Sequence, residues 1–208
     1  MLKKEVILKD GWYWPAKDMK CWPWLQNEKD LPNIISSHCP NKGVAVQAGG
    51  NCGFYPKLYG KIFKTVYTFE PDNLNFYCLS LNASAPNIFK QQACIGDSRK
   101  LVELTNSKKN IGCYSIIPEN TGIIPTLMID DLGLTSCDLI HLDIEGWELP
   151  ALKGAEKTVS NHRPVIALEW MSHGERFGFK DSDLEDWLAC RGYTKYESIM
   201  HERIYKPS

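Results

Sequence analysis

Acidic side chains close several of the apolar runs in this 208-residue chain, and that placement is where chemistry is expected. Glu70 ends VYTFE, Asp143 ends DLIHLD and Glu169 ends VIALE, each run having the β-branched and aromatic make-up of a buried strand. Ligands of open α/β sheets sit beyond the carboxyl ends of the strands, so an acid there faces the crevice, where it can accept hydroxyl hydrogens or take a proton. Ahead of these acids, VAVQAGGNCGFYP (44–56) reads as strand, glycine turn and helix. Gly49, Gly50 and Gly53 permit positive φ and let a ligand approach bare backbone, and the free N–H groups of the helix that follows favour polar or anionic groups. Glu70 follows the glycines by about 20 residues, the separation at which a ribose hydroxyl needs an acceptor. A tight connection with no ligand remains the plain alternative for the glycines.

The elements that must carry these residues alternate. Helical spacing extends over Phe54 to Phe63, with a strand at Val66 to Phe69 and a second helix over EPDNLNFYCLSLNA capped by Asp72 or Asn73. Ile88 to Ile95 reads as a third strand before Gly96 and Asp97. Residues 100–129 contain the short strand-like pieces LVELTN, GCYSII and GIIPTLMI, which suggests an antiparallel insertion or β-flap. Asp138 to Asp143 is a strand, IEGWELPALKGAEKTVSN a helix, Arg163 to Trp170 a strand, and DSDLEDWLAC a helix capped by Asp181 or Ser182. Tyr193 to Glu197 and Ile199 to Tyr205 close the chain as a hairpin. The fold class is therefore α/β: a Rossmann-like three-layer sandwich around a mostly parallel sheet, with an antiparallel C-terminal hairpin.

Residues 1–43 form a separate arm before the domain of 44–208. Pro15, Pro23, Pro32 and Pro40 argue against long helices, and Trp12, Tyr13, Trp14, Trp22 and Trp24 make the arm aromatic. The arm either packs its rings over the domain's end or offers a platform to a flat substrate. A formal net charge of −1 gives no electrostatic footprint for nucleic acid or an anionic membrane. The first apolar run, Val6 to Leu8, is too short for a signal-peptide core, and no run reaches a membrane-spanning length, so a soluble, cytoplasmic protein is expected. Eight cysteines include no C-x-x-C pair and no Cys/His cluster, so reduced cysteines that act as small hydrophobes are expected, and no metal.

Taken together, VQAGGNCG, TFEPDNLNF, IGD, DLIHLDIEGWELPALKGAE and RPVIALEW, in this order between Gly43 and Trp170, resemble the FkbM family of class I S-adenosylmethionine-dependent methyltransferases. LDIEGWE followed by KGA is the most family-specific piece, and the first 43 residues lie outside the likeness. The resemblance implies a seven-stranded sheet, S-adenosylmethionine as donor, and a hydroxyl of a sugar or small molecule as acceptor. It implies that Gly49, Gly50, Asn51 and Gly53, with Gln47 and Phe54 beside them, face the methionine part of the cofactor. Glu70 would then accept the ribose hydroxyls flanked by Pro71 and Asn75, Asp97 would lie near the adenine, and Asp143 and Glu145 would stand by the transferable methyl. Gln47 departs from the aspartate usual at its position, and His141 stands where lysine is common, although its mid-strand position favours a packed, hydrogen-bonded histidine.

Methyl transfer to an alcohol needs alignment behind the methyl and a group to take the hydroxyl proton. Asp143 is the first candidate base, Glu145 the second, His173 in MSHGERFG an alternative reaching over the site, and Glu169 a fourth. Glu145 could instead favour a helix N-terminus and Glu169 pair with Arg176, while a divalent cation held between carboxylates ranks below direct base catalysis. The rival functions are an NAD-binding oxidoreductase using the same turn and a catalytically silent methyltransferase-like binding domain, with Gln47 favouring the latter. A nucleic-acid methyltransferase ranks lowest, because the chain has neither a basic balance nor an N-P-P-Y-like motif.

Overall fold

The computed structural model describes residues 2–18, 20–105, 111–117 and 122–208. Its strands are β1 (Val6–Lys9), β2 (Trp12–Pro15), β3 (Val44–Ala48), β4 (Thr65–Phe69), β5 (Ile88–Gln91), β6 (Cys94–Ile95), β7 (Leu101–Leu104), β8 (Ile116–Ile117), β9 (Ile124–Leu127), β10 (Leu139–Leu142), β11 (Val165–Glu169), β12 (Tyr193–Ile199) and β13 (Glu202–Pro207). The helices are α1 (Cys21–Asn27), α2 (Leu31–Ser37), α3 (Phe54–Tyr59), α4 (Asn73–Asn82), α5 (Glu148–Lys153), α6 (Glu156–His162) and α7 (Asp181–Ala189).

Seven strands form one sheet in the order β12-β13-β11-β10-β3-β4-β5, parallel from β11 to β5 and antiparallel where β13 meets β11 and β12. The strand order reverses between β3 and β10, so the carboxyl ends of β3, β4, β10 and β11 open onto one crevice. Successive residues point to opposite faces, as the pleat demands. Ala45, Leu139 and Val165 pack with α3, α4 and the arm, whereas Val46, Ile140 and Ile166 pack with α5, α6 and α7. That is the expected three-layer sandwich.

Several boundaries move. The third strand breaks in two, because Cys94–Ile95 leaves the main sheet to pair with β9. The small sheet β6-β9-β7-β8 is antiparallel at β7–β8 and β7–β9 but parallel at β6–β9, so the expected antiparallel flap is a mixed sheet; the polar loops 106–110 and 118–121 within it lie outside the described residues. The single helix expected after Asp143 is two. A Cβ at Gly154 would overlap the carbonyl oxygen of Gly96, so the chain must pass there without a side chain, and Asp130 then caps the new helix by accepting from the N–H groups of Lys157 (2.9 Å) and Thr158 (2.8 Å). α3 stops at Gly60, short of Phe63. Asp72 caps α4 as expected, accepting from Leu74 (3.0 Å) and Asn75 (2.9 Å). α7 starts at Asp181 itself, with Asp183 accepting from the N–H of Lys180 at 2.7 Å, so neither Asp181 nor Ser182 is its cap.

The arm is more regular than its prolines suggest. Asp10 and Gly11 both take positive φ and turn β1 onto β2, the backbone a two-residue hairpin needs. Asn82 of α4 clamps the hairpin, accepting from the N–H of Tyr13 at 2.9 Å and donating to its carbonyl at 2.8 Å. Trp14 and Trp22 are buried with Leu31 and Ile35 of α2, so these rings seal the domain, while Trp24 is exposed. Cys52, Cys78, Cys94 and Cys137 are buried among apolar residues, and no disulfide joins described cysteines. No helix of the described residues is long and apolar enough to cross a membrane.

Candidate active site

β3 delivers the chain into its glycine turn under tight steric control. The N–H groups of Gly49 (3.2 Å) and Gly50 (2.8 Å) both donate to the carbonyl of Phe69, binding the turn to the end of β4. Gly49 has φ +85, and a Cβ there would overlap the carbonyl oxygen of Asp143, so the turn lies directly against the end of β10. Only glycine meets both conditions. Gln47, fully buried, secures this arrangement from behind: its amide donates to the carbonyls of Ala48 (3.1 Å) and Gly49 (2.9 Å) and accepts from Thr68 at 2.7 Å.

Beyond the turn lies a cavity of about 380 Å³, within the range of small-molecule and cofactor sites. Gly49, Gly50, Asn51, Phe54, Glu70, Pro71, Asn75 and Asp143 all line it, together with Glu145, Glu169 and His173. Three expected cofactor residues do not. Gln47 is spent on the turn, Gly53 starts α3 and backs onto Leu79, and Asp97 is exposed beside Ser98.

Glu70 is buried, and both oxygens are held: Asn51 N–H donates to Oε2 at 2.7 Å and Asp72 N–H to Oε1 at 2.8 Å. Burial pushes its carboxyl up to about 8, against the pull of those two donors. Each oxygen keeps a second lone pair, which is what a pair of vicinal hydroxyls requires.

On the opposite side the acids crowd. Burial raises the Asp143 carboxyl well above the usual range, and Glu202, Glu145, Glu28 and Glu148 raise it further. Glu169 is pushed up to about 11, first by burial and then by Asp143, Glu145, Glu148 and Glu202. Glu145 has a left-handed backbone, φ 59, followed by Gly146 at φ 99, so the LDIEGWE segment is a tight turn that aims Glu145 inward. Its Oε2 lies 3.1 Å from His173 Nδ1 and 3.7 Å from Arg176 Nη1. Arg176 therefore stands by Glu145, not by Glu169 as the sequence allowed. The helix-start role considered for Glu145 belongs to Glu148, which accepts from the N–H groups of Ile144 (3.1 Å) and Gly146 (3.3 Å) and is pushed up to about 7 by burial.

The third wall comes from outside the family-like segment. Glu28, at the end of α1, accepts from the Tyr55 hydroxyl at 2.7 Å and has His201 3.4 Å away, and Trp24 and Lys20 stand with them around the cavity. Below the cavity floor His141 is fully buried between the Tyr59 hydroxyl (3.0 Å) and Glu202 (3.2 Å), the packed role foreseen for it. Glu28, Glu148 and His201 were missed from sequence. Glu148 had a signal in the EGWE turn, an acid in the first turn of a helix, whereas nothing local marks Glu28 or His201.

The sequence profile of the FkbM methyltransferase domain matches residues 47–195. No curated protein matches the chain. Among solved structures, the FkbM methyltransferase from Methylobacillus flagellatus KT aligns over 78% of this chain with a TM-score of 0.50 and 21% identity, and the chain spans only 42% of that protein's length. The precorrin-6y C5,15-methyltransferase from Geobacter metallireducens GS-15 aligns over 96% of this chain and 95% of its own, with a TM-score of 0.54 and 11% identity. A ribosomal protein L11 methylase from Lactobacillus delbrueckii subsp. bulgaricus aligns over 88% and 80%, with a TM-score of 0.51 and 11% identity. At such identities these neighbours speak for the fold; the match over residues 47–195 speaks for the family, and the chain belongs to the FkbM methyltransferase domain family.

Proposed function

We propose that this chain transfers a methyl group from S-adenosylmethionine to a hydroxyl of a sugar or other small molecule. The observation that carries the reading is the pairing, across one cavity, of the clamped Glu70 carboxylate with the acid-rich ends of β10 and β11. When bound, S-adenosylmethionine supplies an electrophilic methyl on a cationic sulfur. The residues present suit such a group: Glu70 has free lone pairs for ribose hydroxyls, Gly49 and Gly50 leave the backbone bare, and the acids around Asp143 favour a positive charge.

Asp143 is the base of this reading, placed to receive a hydroxyl proton at the mouth of β10. Burial and the neighbouring acids raise its proton affinity, and a cationic sulfur beside it favours the ionised form that can receive the proton. Glu145 and His173 are the supporting pair, with His173 able to take the same proton from the loop side. The arm residues Trp24 and Glu28 line the same cavity beside these groups.

The acids at the ends of β10 and β11 suit a cationic sulfonium better than the anionic pyrophosphate of a nicotinamide dinucleotide. Calorimetry with S-adenosylhomocysteine, S-adenosylmethionine and NAD separates the possibilities. Binding of the first two and not NAD is expected. NAD binding alone would establish the oxidoreductase, and binding of none at millimolar concentration would leave a silent domain. Mass spectrometry of candidate alcohols after incubation with labelled donor then reads the acceptor class.

A further inference from the structure

Glu145, Glu169 and His173 come from three separate places in the chain: the turn after β10, the end of β11, and the loop beyond it. Each can offer one ligand atom, and the three atoms lie within 4.8 Å of one another. That is a mixed set of two carboxylates and an imidazole, all lining the cavity. A second observation concerns alignment. Glu145 is 8% exposed, and its Oε2 faces His173 Nδ1 at 3.1 Å in an ion-pair contact, shut off from solvent, that lacks hydrogen-bond alignment. An ion pair out of hydrogen-bond alignment leaves the hydrogen-bonding capacity of both buried atoms unmet by each other. Arg176, at 3.7 Å, is too distant to satisfy the carboxylate by a hydrogen bond.

We infer that Glu145, Glu169 and His173 bind a divalent first-row transition ion of the Mn²⁺ to Zn²⁺ range at the acceptor side of the cavity. The imidazole sets the choice: carboxylates alone suit Mg²⁺ and Ca²⁺, but a nitrogen ligand turns preference toward the transition ions. Three protein ligands leave positions open toward the cavity, where water or an acceptor oxygen can coordinate. The binding stands apart from the methyl-transfer reading; only the role of the ion in holding an acceptor hydroxyl beside Asp143 rests on it.

The test uses the whole chain, stripped with a chelator and titrated with MnCl₂ while the electron paramagnetic resonance signal of free Mn²⁺ is followed. ZnCl₂ and MgCl₂ serve in parallel calorimetry, and S-adenosylhomocysteine binding is measured on the same samples. One saturable Mn²⁺ site per chain is expected, with Mg²⁺ weaker. Glu169→Gln and His173→Ala should each weaken Mn²⁺ by about tenfold or more. Glu169→Asp, which keeps a carboxylate, should lie between Gln and the natural residue, and unfolding midpoints without metal show that the variants are folded. No saturable binding of Mn²⁺ or Zn²⁺ at millimolar concentration overturns the inference, as does a site indifferent to both substitutions. Mn²⁺ binding without S-adenosylhomocysteine binding supports the metal site and removes the methyl-transfer reading; the reverse pattern removes the metal site alone.

Discussion

Glu70 and Glu169 both end parallel strands and line one cavity, yet their carboxylates are housed differently. Glu70 has a backbone donor on each oxygen and sits beside a glycine turn whose every contact is specified. Glu169 stands among other acids, beside the buried ion pair of Glu145 and His173, whose contact lacks hydrogen-bond alignment. The first half is complete as folded, so its free energy is already spent on geometry. The second half is electrostatically open, and its acids reach a low-energy state by holding protons or by meeting a cation. Pre-organisation on one side and unmet charge on the other is what a site needs to hold a cofactor fixed while chemistry changes beside it.

Four experiments break or sharpen this contrast. Asp143→Asn removes the base from the open half: turnover should fall by about 10²–10⁴-fold, with S-adenosylhomocysteine affinity retained, and unchanged turnover would falsify the assignment of Asp143. Gly49→Ala strikes the finished half. The new methyl meets the Asp143 carbonyl at a positive φ, so urea unfolding should show a loss of about 3 kcal/mol or more; a cost near zero would mean the turn is not as constrained as its contacts require.

Glu70→Gln keeps the shape and replaces one of the two acceptor oxygens held by backbone N–H groups with an amide donor. S-adenosylhomocysteine should bind about 10–100-fold more weakly by calorimetry, and an unaltered affinity would detach Glu70 from the cofactor. The smallest effect concerns pH. Glu70 is pushed up to about 8 and Glu148 to about 7, and Glu169 to about 11. The unfolded chain loses these protons near pH 4.3 (approximately). Between those values the folded state binds more protons, so stability without cofactor or metal falls as pH rises. The unfolding midpoint should drop by several degrees from about pH 5 to about pH 8, and Glu169→Gln should flatten the slope at its alkaline end. A midpoint that rises over this interval would show that neither Glu70 nor the acids of the open half carry such strain.

Much of the framework was legible from the residues. Alternating apolar runs and helical spacing placed β3, β4, β10 and β11 within a residue or two, because burial on both faces of a central sheet forces unbroken apolar composition. The β1–β2 hairpin has a local signal in Asp10-Gly11, a dipeptide suited to positive φ, set within an arm whose four prolines point to irregular structure. The split of the helix at Gly154 was not legible, because the groups that meet the chain there, the Gly96 carbonyl and the Asp130 carboxylate that caps the second helix, are distant in the chain. Gln47 reads as a weak ligand in sequence, while in the fold it is the brace of the turn.

The sequence by itself determined the α/β alternation, the glycine turn, and the acids that finish the strands, since each depends on local conformation and on short-range pattern. Tertiary structure decided which acids meet. Glu28, Glu145, Glu169 and His173 share a cavity only because β10 and β11 pair in register and the arm folds back against α3. Proton affinity and metal geometry depend on distances of a few ångströms between such groups, and chain spacing carries no record of those distances.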